Sequence, residues 1–192
     1  RFSGRPVVLA GAAIHRFREC SEMKTHARVV VIGGGVVGVS TLYHLAKKGW
    51  SDVVLVERKE LTSGSTWHAA GLLPLFNMSY SVGQVHKYSV KFYQELAEET
   101  GMDVGFRNVS NIRLASTRDR MDEYRQYAGV ASTIGVDVQF LTPEEIKHYW
   151  PLCNVDGLIG AIRHPGDGYI QPADLTQALA RGARDRGAEI YR

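Results

Sequence analysis

The stretch VVVIGGGVVG at residues 29–38 decides the fold of this 192-residue chain. Its first residues, 29–32, are all apolar and β-branched, which predicts a short strand buried on both faces. Three glycines follow directly, and the pattern at 40–48 is then that of a helix ending at Gly49. A strand, a glycine-rich turn and a helix in this order predict the start of a dinucleotide-binding domain built on a parallel sheet.

Each glycine of the predicted turn has its own task. Gly33 permits the tight turn, Gly35 lets the backbone approach a pyrophosphate, and Gly38 lets the helix pack closely against the strand. The first helical residues, Val36 and Val37, offer free N–H groups and the partial positive charge of a helix N-terminus. These five residues form the predicted phosphate site.

An acid follows at the spacing that such a domain needs. The second predicted strand, 51–56, ends in the carboxylate of Glu57, about 20 residues after Gly38. A carboxylate there accepts hydrogen bonds from an adenosine ribose and repels a 2′-phosphate, which disfavours NADP. The alternative is that the glycines serve packing only and that Glu57 is merely solvated. It requires strand, turn, helix and acid to coincide by chance.

The composition excludes several other classes of protein. Apolar residues make up 44% and charged residues 22% of the chain, as in an ordinary soluble globular protein. The net charge of +3 is too small and too dispersed to predict binding to nucleic acid or to an anionic membrane. No apolar run approaches the roughly 18 residues of a membrane span. Cys20 and Cys153 lie far apart, which indicates a reducing compartment and neither a disulfide framework nor a metal site.

The predicted domains divide the chain into three parts. Residues 1–22 are Arg-rich, lack a clear period and form a non-core extension, either translated upstream sequence or a targeting segment; Met23 resembles a natural start. Residues 23–80 and 161–192 form an incomplete, Rossmann-like α/β domain. Residues 81–160 begin an α+β substrate-binding layer.

Hydrophobic periodicity, together with glycine, proline and capping residues, predicts the remaining elements. The predicted helices 82–100 and 118–134 each end at a glycine, and Thr142 and Glu145 predict a capping box for the predicted helix 142–150. Asp167 lies in a predicted turn, and its predicted role is to stabilise that turn. The predicted helices are 82–100, 118–134, 142–150 and 171–186, and the predicted strands are 104–106, 110–115, 136–141, 158–163 and 188–191.

Four motifs together resemble a known family. They are VVVIGGGVVG, VVLVE, ELTSGSTWHAAGL and GDGYIQPADLTQALARGARDRGA. They resemble the FAD-dependent amine oxidoreductases of the D-amino-acid-oxidase class, in the branch of the dimethylglycine and sarcosine dehydrogenases. The resemblance covers nearly all of residues 27–192. The GSTWHAAG turn separates this branch from NAD enzymes, in which it has no role.

The resemblance implies FAD as the cofactor and assigns its contacts. Gly64, Ser65 and Thr66 match a second flavin-contacting turn, and His68 matches the histidine that some members join covalently to the flavin 8α-methyl group. The alternative for His68 is a hydrogen-bonded histidine beside noncovalent FAD. No catalytic or metal-binding residue is assigned. The implied cofactor-binding residues are Gly33, Gly35, Val36, Val37, Gly38, Glu57, Arg58, Gly64, Ser65, Thr66, His68 and Gly71.

The resemblance also implies a reaction. Such an enzyme oxidises the N-methyl group of a secondary or tertiary amino acid, sarcosine or dimethylglycine, by hydride transfer to the flavin. Electrons then pass to an electron-transfer flavoprotein or to oxygen. Folate would bind a C-terminal domain beyond Arg192, where the substrate ligands would also lie. The implied location is the bacterial cytoplasm or the mitochondrial matrix.

Two other functions stay open at this point. One is a noncovalent FAD oxidase that acts on another amine or amino acid. The other is a truncated nucleotide-binding module with no turnover of its own.

Overall fold

The computed structural model describes residues 23–192, so the predictions for 1–22 lie outside the described residues. Within that range the chain alternates between strands and helices. In chain order the elements are β1 (Val29–Ile32), α1 (Val36–Lys47), β2 (Val53–Val56), a 3₁₀ helix (Thr66–His68), β3 (Leu72–Leu73), α2 (Tyr80–Thr100), β4 (Arg107–Asn108), β5 (Asn111–Ala115), α3 (Arg118–Ile134), β6 (Gln139–Leu141), α4 (Pro143–Tyr149), β7 (Gly160–His164), β8 (Gly168–Tyr169), α5 (Pro172–Arg184) and β9 (Glu189–Tyr191).

A parallel sheet carries the dinucleotide motif. Its strand order is β1-β2-β9, with Val29 opposite Val53 and Val54 opposite Glu189. The chain moves from β1 to β2 through α1, and it returns to β9 through α5 after a long excursion. This arrangement is the 3-2-1 half of a doubly wound fold. The predicted α/β class with a parallel sheet is confirmed.

The helices α1 and α5 cover one face of this sheet. Leu42 and Tyr43 of α1 are fully buried, and they pack in one core with Leu179 of α5 and Leu55 of β2. The helical period of 3.6 places the apolar residues of each helix on the side that faces the sheet.

The prediction that β1 is buried on both faces is wrong. Val30 is 52% exposed and Ile32 is 85% exposed, whereas Val53 and Leu55 of the adjacent strand are fully buried. Alternate residues of a strand point to opposite faces, and no element among residues 23–192 covers the second face of β1. An apolar sequence shows that a strand can be buried on both faces, but burial also requires other elements to cover both faces.

A second, antiparallel sheet forms a separate core. Its order is β5-β7-β6, and Asn111 lies opposite His164. The tyrosines Tyr124 and Tyr127 of α3 pack with Ile162 of β7, while α4 contributes Ile146 to a smaller cluster. Helix α2 contributes to both large cores.

A third sheet, β3-β8-β4, ties the two cores together with strands of two residues each. The predicted strand at 104–106 is wrong: Val104 is fully buried in irregular backbone, and its carbonyl accepts a hydrogen bond from the Gln171 amide at 3.1 Å. The neighbouring residues of β4 pair with β8 instead. The division into domains stays a prediction. Within it, β7 pairs with β5 and β6, so residues 161–164 lie in the second sheet.

The observed ends of α2, α3 and α4 lie close to the predicted ends. Thr142 and Glu145 form a reciprocal capping box, as their spacing predicts. Helix α3 has its predicted bounds, and α2 starts two residues earlier than predicted. No helix among residues 23–192 is long and apolar enough to cross a membrane.

Candidate dinucleotide site

The glycine turn, residues 33–38, follows β1, and the backbones of its first and last residues are in close contact. Gly33 has a φ of 108°, which favours glycine, and its N–H donates to the Val56 carbonyl at 2.9 Å. A Cβ at Gly38 would overlap the carbonyl oxygen of Gly33. The turn therefore needs glycine at both ends, and it leaves the N-terminus of α1 at the carboxyl edge of the parallel sheet.

The first turn of α1 presents N–H groups that have no acceptor inside the helix. The amides of Val36 and Val37 have no acceptor within the helix, because the first four N–H groups of any helix lack one. One of them is satisfied by a side chain: Val36 N–H donates to Thr66 Oγ1 at 2.9 Å. The helix has no acidic residue in its first turn, and Val37 is 77% exposed. This end of the helix suits an anion.

Glu57 lies directly beside the turn. Its Oε2 accepts from the Gly34 N–H at 2.6 Å, and its Oε1 accepts from the Lys59 N–H at 2.9 Å. These backbone donors, Gly34 first, hold the pKa of Glu57 below its ordinary value, so the group is ionised at neutral pH. Each oxygen keeps a second lone pair, which a ribose hydroxyl can use.

The 3₁₀ helix Thr66–His68, the TWH helix, packs against the glycine turn. Thr66 is buried, and its hydroxyl makes the bond to Val36 described above. Trp67 and His68 are both exposed, and their ring centroids lie 3.8 Å apart. Thr66 thus joins the N-terminus of α1 to the segment that bears the exposed imidazole of His68, two residues further along the chain.

Together these features fit the ADP half of a dinucleotide. The helix N-terminus supplies donors for phosphates, and the ionised Glu57 supplies acceptors for a ribose. A side chain would be strained at Gly33 by its positive φ and would overlap the backbone at Gly38. Among residues 23–192, no three His, Cys, Asp or Glu side chains are grouped so that they could hold a metal ion.

Comparison with known families agrees with this geometry. A family model described as FAD dependent oxidoreductase matches residues 28–192. The chain belongs to the FAD-dependent oxidoreductase family. The resemblance and the FAD cofactor inferred from the sequence are thereby confirmed at the level of the family.

Individual members of the FAD-dependent oxidoreductase family are similar to this chain. It is 47% identical over 166 residues to the mitochondrial dimethylglycine dehydrogenase of Rattus norvegicus, covering 86% of this chain and 19% of that protein. It is 44% identical over 165 residues to the mitochondrial sarcosine dehydrogenase of Homo sapiens, covering 85% and 18%. The crystal structure of L-proline dehydrogenase from P. horikoshii matches with a TM-score of 0.81 and 30% identity, covering 86% of this chain and 44% of that one. The chain thus spans about a fifth of the length of these two curated relatives.

The residues predicted to contact FAD have three different settings. Gly33, Gly35, Val36, Gly38, Glu57 and Thr66 belong to one set of contacts around the glycine turn, and Val37 stands exposed at its mouth. Arg58, Gly64, Ser65 and His68 lie exposed on the surface, with Arg58 next to Glu57. Gly71 packs against Ile170, where a Cβ would overlap the carbonyl oxygen. The cofactor roles of all twelve stay predictions.

Sequence reasoning missed three residues that shape the turn. A Cβ at Gly34 would overlap the buried side chain of Leu61, and the carbonyl of Gly34 accepts from the Thr62 N–H at 3.0 Å. Thr62 has a φ of 73°, which is uncommon for a residue with a Cβ. The loop after Glu57 therefore folds back over the turn. No local pattern in that loop indicates this.

Proposed function

We propose that this chain binds FAD and forms the cofactor half of an enzyme that oxidises the N-methyl group of a secondary or tertiary amino acid. Sarcosine and dimethylglycine are the proposed substrates. The observation that carries the proposal is the bond from Val36 N–H to Thr66 Oγ1, because it joins the phosphate end of the site to the helix that bears His68. The names of the two curated relatives supply the substrate class.

The residues of the chain divide the work of holding the cofactor. The N-terminus of α1 binds the pyrophosphate, and Glu57 binds the adenosine ribose through its ionised carboxylate. Bound FAD supplies a ring that accepts a hydride from the substrate carbon. The described residues are proposed to contribute position and electrostatics to that step.

His68 is proposed as the point of covalent attachment. Its Nδ1 lies 3.1 Å from the Gly64 carbonyl oxygen, which can only accept a hydrogen bond. That contact requires Nδ1 to carry the proton in the neutral ring, so the lone pair is on Nε2. We therefore propose that Nε2 is the atom that would bond to the 8α carbon. The 8α methyl group would give up one hydrogen as a proton, and the electron pair of that C–H bond would reduce the flavin ring, which the proposed electron acceptor would then reoxidise. The rings of Trp67 and His68 are in contact at an interplanar angle of 37°.

The wider setting is proposed from the relatives. Both curated relatives carry "mitochondrial" in their names, which favours the mitochondrial matrix over the bacterial cytoplasm. An electron-transfer flavoprotein or oxygen is the proposed electron acceptor. Binding of folate to a further domain is proposed on the family resemblance.

The proposed reaction can be tested by anaerobic titration of the purified holoprotein. Dimethylglycine or sarcosine is expected to bleach the visible flavin absorbance, whereas glycine, which has no N-methyl group, is expected to leave it unchanged. Bleaching by proline alone would contradict the proposed substrate and support another amine oxidoreductase. Flavin that no amine bleaches would indicate a nucleotide-binding module without turnover.

The proposed attachment can be tested by mass spectrometry of the digested protein. The peptide that contains His68 is expected to carry the mass of FAD, and His68→Ala is expected to release all flavin on denaturation. His148→Ala removes another exposed histidine and serves as the matched control. An unmodified His68 peptide from wild-type holoprotein would contradict covalent attachment and leave noncovalent FAD.

A further inference from the structure

The segment that follows the TWH helix is fastened along its length to one other segment. Segment 71–75 runs beside segment 167–170: Ile170 N–H donates to the Gly71 carbonyl at 2.8 Å, and β3 pairs with β8. At the far end the pairing continues through a side chain, because Leu75 N–H donates to Asp167 Oδ1 at 2.9 Å. Asp167 thus completes a ladder that begins three residues after His68.

Leu75 is held from both sides by buried side chains. Its carbonyl oxygen accepts a hydrogen bond from the Tyr127 hydroxyl of α3 at 3.1 Å, and its N–H donates to Asp167. Asp167 is 1% exposed and Tyr127 is fully buried. Hydrogen bonds of this kind, shielded from water, hold a backbone position more firmly than exposed ones.

The Asp167 side chain is not needed for the turn that contains it. The backbone of the turn is already satisfied, since Asp167 N–H donates to the His164 carbonyl at 3.3 Å and the Asp167 carbonyl accepts from Ser110 N–H at 2.8 Å. The assignment of Asp167 as a turn-stabilising residue therefore misses its main contact, which lies 92 residues away in the chain.

Burial of this carboxyl group is costly, which indicates a specific role. The carboxyl group accepts from Leu75 N–H and interacts electrostatically with Arg113 of β5 and Tyr127 of α3, and the ring of His164 of β7 packs against Tyr127. Among the described residues, Asp167 Oδ2 and both ring nitrogens of His164 have no hydrogen-bond partner. An apolar residue would avoid this desolvation, so the bond to Leu75 is the contact that justifies a carboxyl here.

We infer that Asp167 is a positioning residue of the flavin site, which holds Leu75 and thereby fixes the segment that places His68. The inference rests on the proposed function of His68. Asp167 is almost fully buried and makes its side-chain hydrogen bond to Leu75. It acts through the 71–75 ladder, and a shift of about 1 Å at a reacting group can cost on the order of a hundredfold in rate.

The test compares Asp167→Ala with Asp167→Asn. The asparagine keeps an oxygen that can accept from Leu75 N–H, whereas alanine removes it. In apoprotein, hydrogen exchange of the amides at 68–75 is expected to rise at least about tenfold in Asp167→Ala and to stay within about twofold in Asp167→Asn. On addition of FAD, the rate of covalent attachment is expected to fall at least about tenfold in the alanine variant only.

Two further variants keep the test decisive. Ile146→Ala opens a cavity in the α4 cluster, away from segment 71–75, and controls for loss of stability alone. Should Asp167→Ala fail to fold, Tyr127→Phe removes the other bond to Leu75 and keeps the ring, and it is expected to raise exchange at 68–75 and slow attachment in the same way.

The outcomes separate this inference from the proposed function. Unchanged exchange at 68–75 in the folded alanine variant, or in Tyr127→Phe if it replaces that variant, would overturn the inference. Raised exchange with an unaltered attachment rate would overturn it as well. Absence of covalent flavin in wild-type protein would overturn the attachment at His68 and, with it, the role of Asp167 in placing that residue. Exchange would then report only whether Asp167 holds the segment.

Discussion

Glu57 and Asp167 each accept a hydrogen bond from a backbone N–H of a distant segment, Gly34 in one case and Leu75 in the other. Their surroundings differ. Glu57 receives a second N–H from Lys59 and borders solvent, and its pKa is lowered. Asp167 receives one N–H and is almost fully buried, and desolvation raises its pKa to about 6.

The difference shows how one side-chain group serves two purposes. Where donors are plentiful and water is near, the carboxylate keeps its charge and can bind a ligand hydroxyl. Where one donor is present in a dry core, the group is poorly stabilised as an anion, and its hydrogen bond mainly fixes a chain segment. We therefore propose the glycine turn as the binding region and the core beneath β5 and β7 as the supporting region.

The largest effect is expected at the glycine turn. In Gly38→Ala the new Cβ overlaps the Gly33 carbonyl, so the turn must open. We expect a loss of about 3 kcal/mol or more in the free energy of unfolding, and FAD affinity lowered at least about a hundredfold. Thermal unfolding and FAD titration measure both. Gly129→Ala, where a Cβ meets nothing, is the control. Near-normal FAD binding by Gly38→Ala would contradict the assignment of the turn.

The next effect is expected at Glu57. Glu57→Gln keeps the shape of the side chain but loses its charge and replaces one acceptor oxygen by a donor. We expect FAD affinity to fall by about ten- to a hundredfold, since hydrogen bonds to charged groups contribute about 1.5–3 kcal/mol. FAD titration by fluorescence measures this. Glu60→Gln removes an exposed neighbouring carboxylate and should bind normally. Equal affinities for the two variants would contradict the ribose role.

Opposite pH dependences are expected in the supporting region. Because the pKa of Asp167 is raised from 3.8 to about 6 in the folded protein, its contribution to stability is present at low pH and is lost as pH rises through about 6. The pKa of His164 is lowered from 6.5 to about 4 by burial, so its contribution is lost as pH falls through about 4. The two effects oppose each other in wild-type protein.

Single variants should separate these two slopes. As pH falls from 6.5 to 4, we expect the free energy of unfolding of Asp167→Asn to decrease relative to wild type, because the variant lacks the contribution of Asp167. Over the same range we expect that of His164→Gln to increase relative to wild type, and each change is on the order of 2 kcal/mol. Denaturant unfolding at a series of pH values measures the slopes. Parallel curves for wild type and both variants would show that neither group titrates between these values.

The smallest effect is expected at the bond that joins the turn to the TWH helix. Thr66→Val keeps the shape and leaves Val36 N–H without its hydroxyl acceptor. We expect a loss of about 1 kcal/mol in stability and FAD affinity lowered by several-fold. Thr66→Ser keeps the hydroxyl and is the matched control. If the two variants bind FAD alike, the contact does not support the site.

Local signals predicted much of this structure. The glycine turn, Glu57 and the bounds of α3 follow from patterns within a few residues, because strand, turn and helix preferences are local. Strands of two residues, such as β3 and β8, give no periodic signal. The buried coil at Val104 imitates a strand, since alternation reports burial and not backbone conformation.

The candidate site divides in the same way. The turn and its acid are a motif, so sequence spacing locates them. The contact of Thr66 with Val36 spans 30 residues and that of Asp167 with Leu75 spans 92, and only the folded chain brings these pairs together. The exposed face of β1 could not be predicted either, because burial depends on the elements that cover a strand.

A crystal structure of the protein with FAD bound tests most directly whether the glycine turn, Glu57 and the TWH helix form one flavin site. We expect the pyrophosphate at the N-terminus of α1, a ribose hydroxyl on Glu57 and electron density that joins the flavin to His68 Nε2. A flavin ring on the side of the sheet away from His68 would contradict the single site and the amine-oxidising function proposed from it.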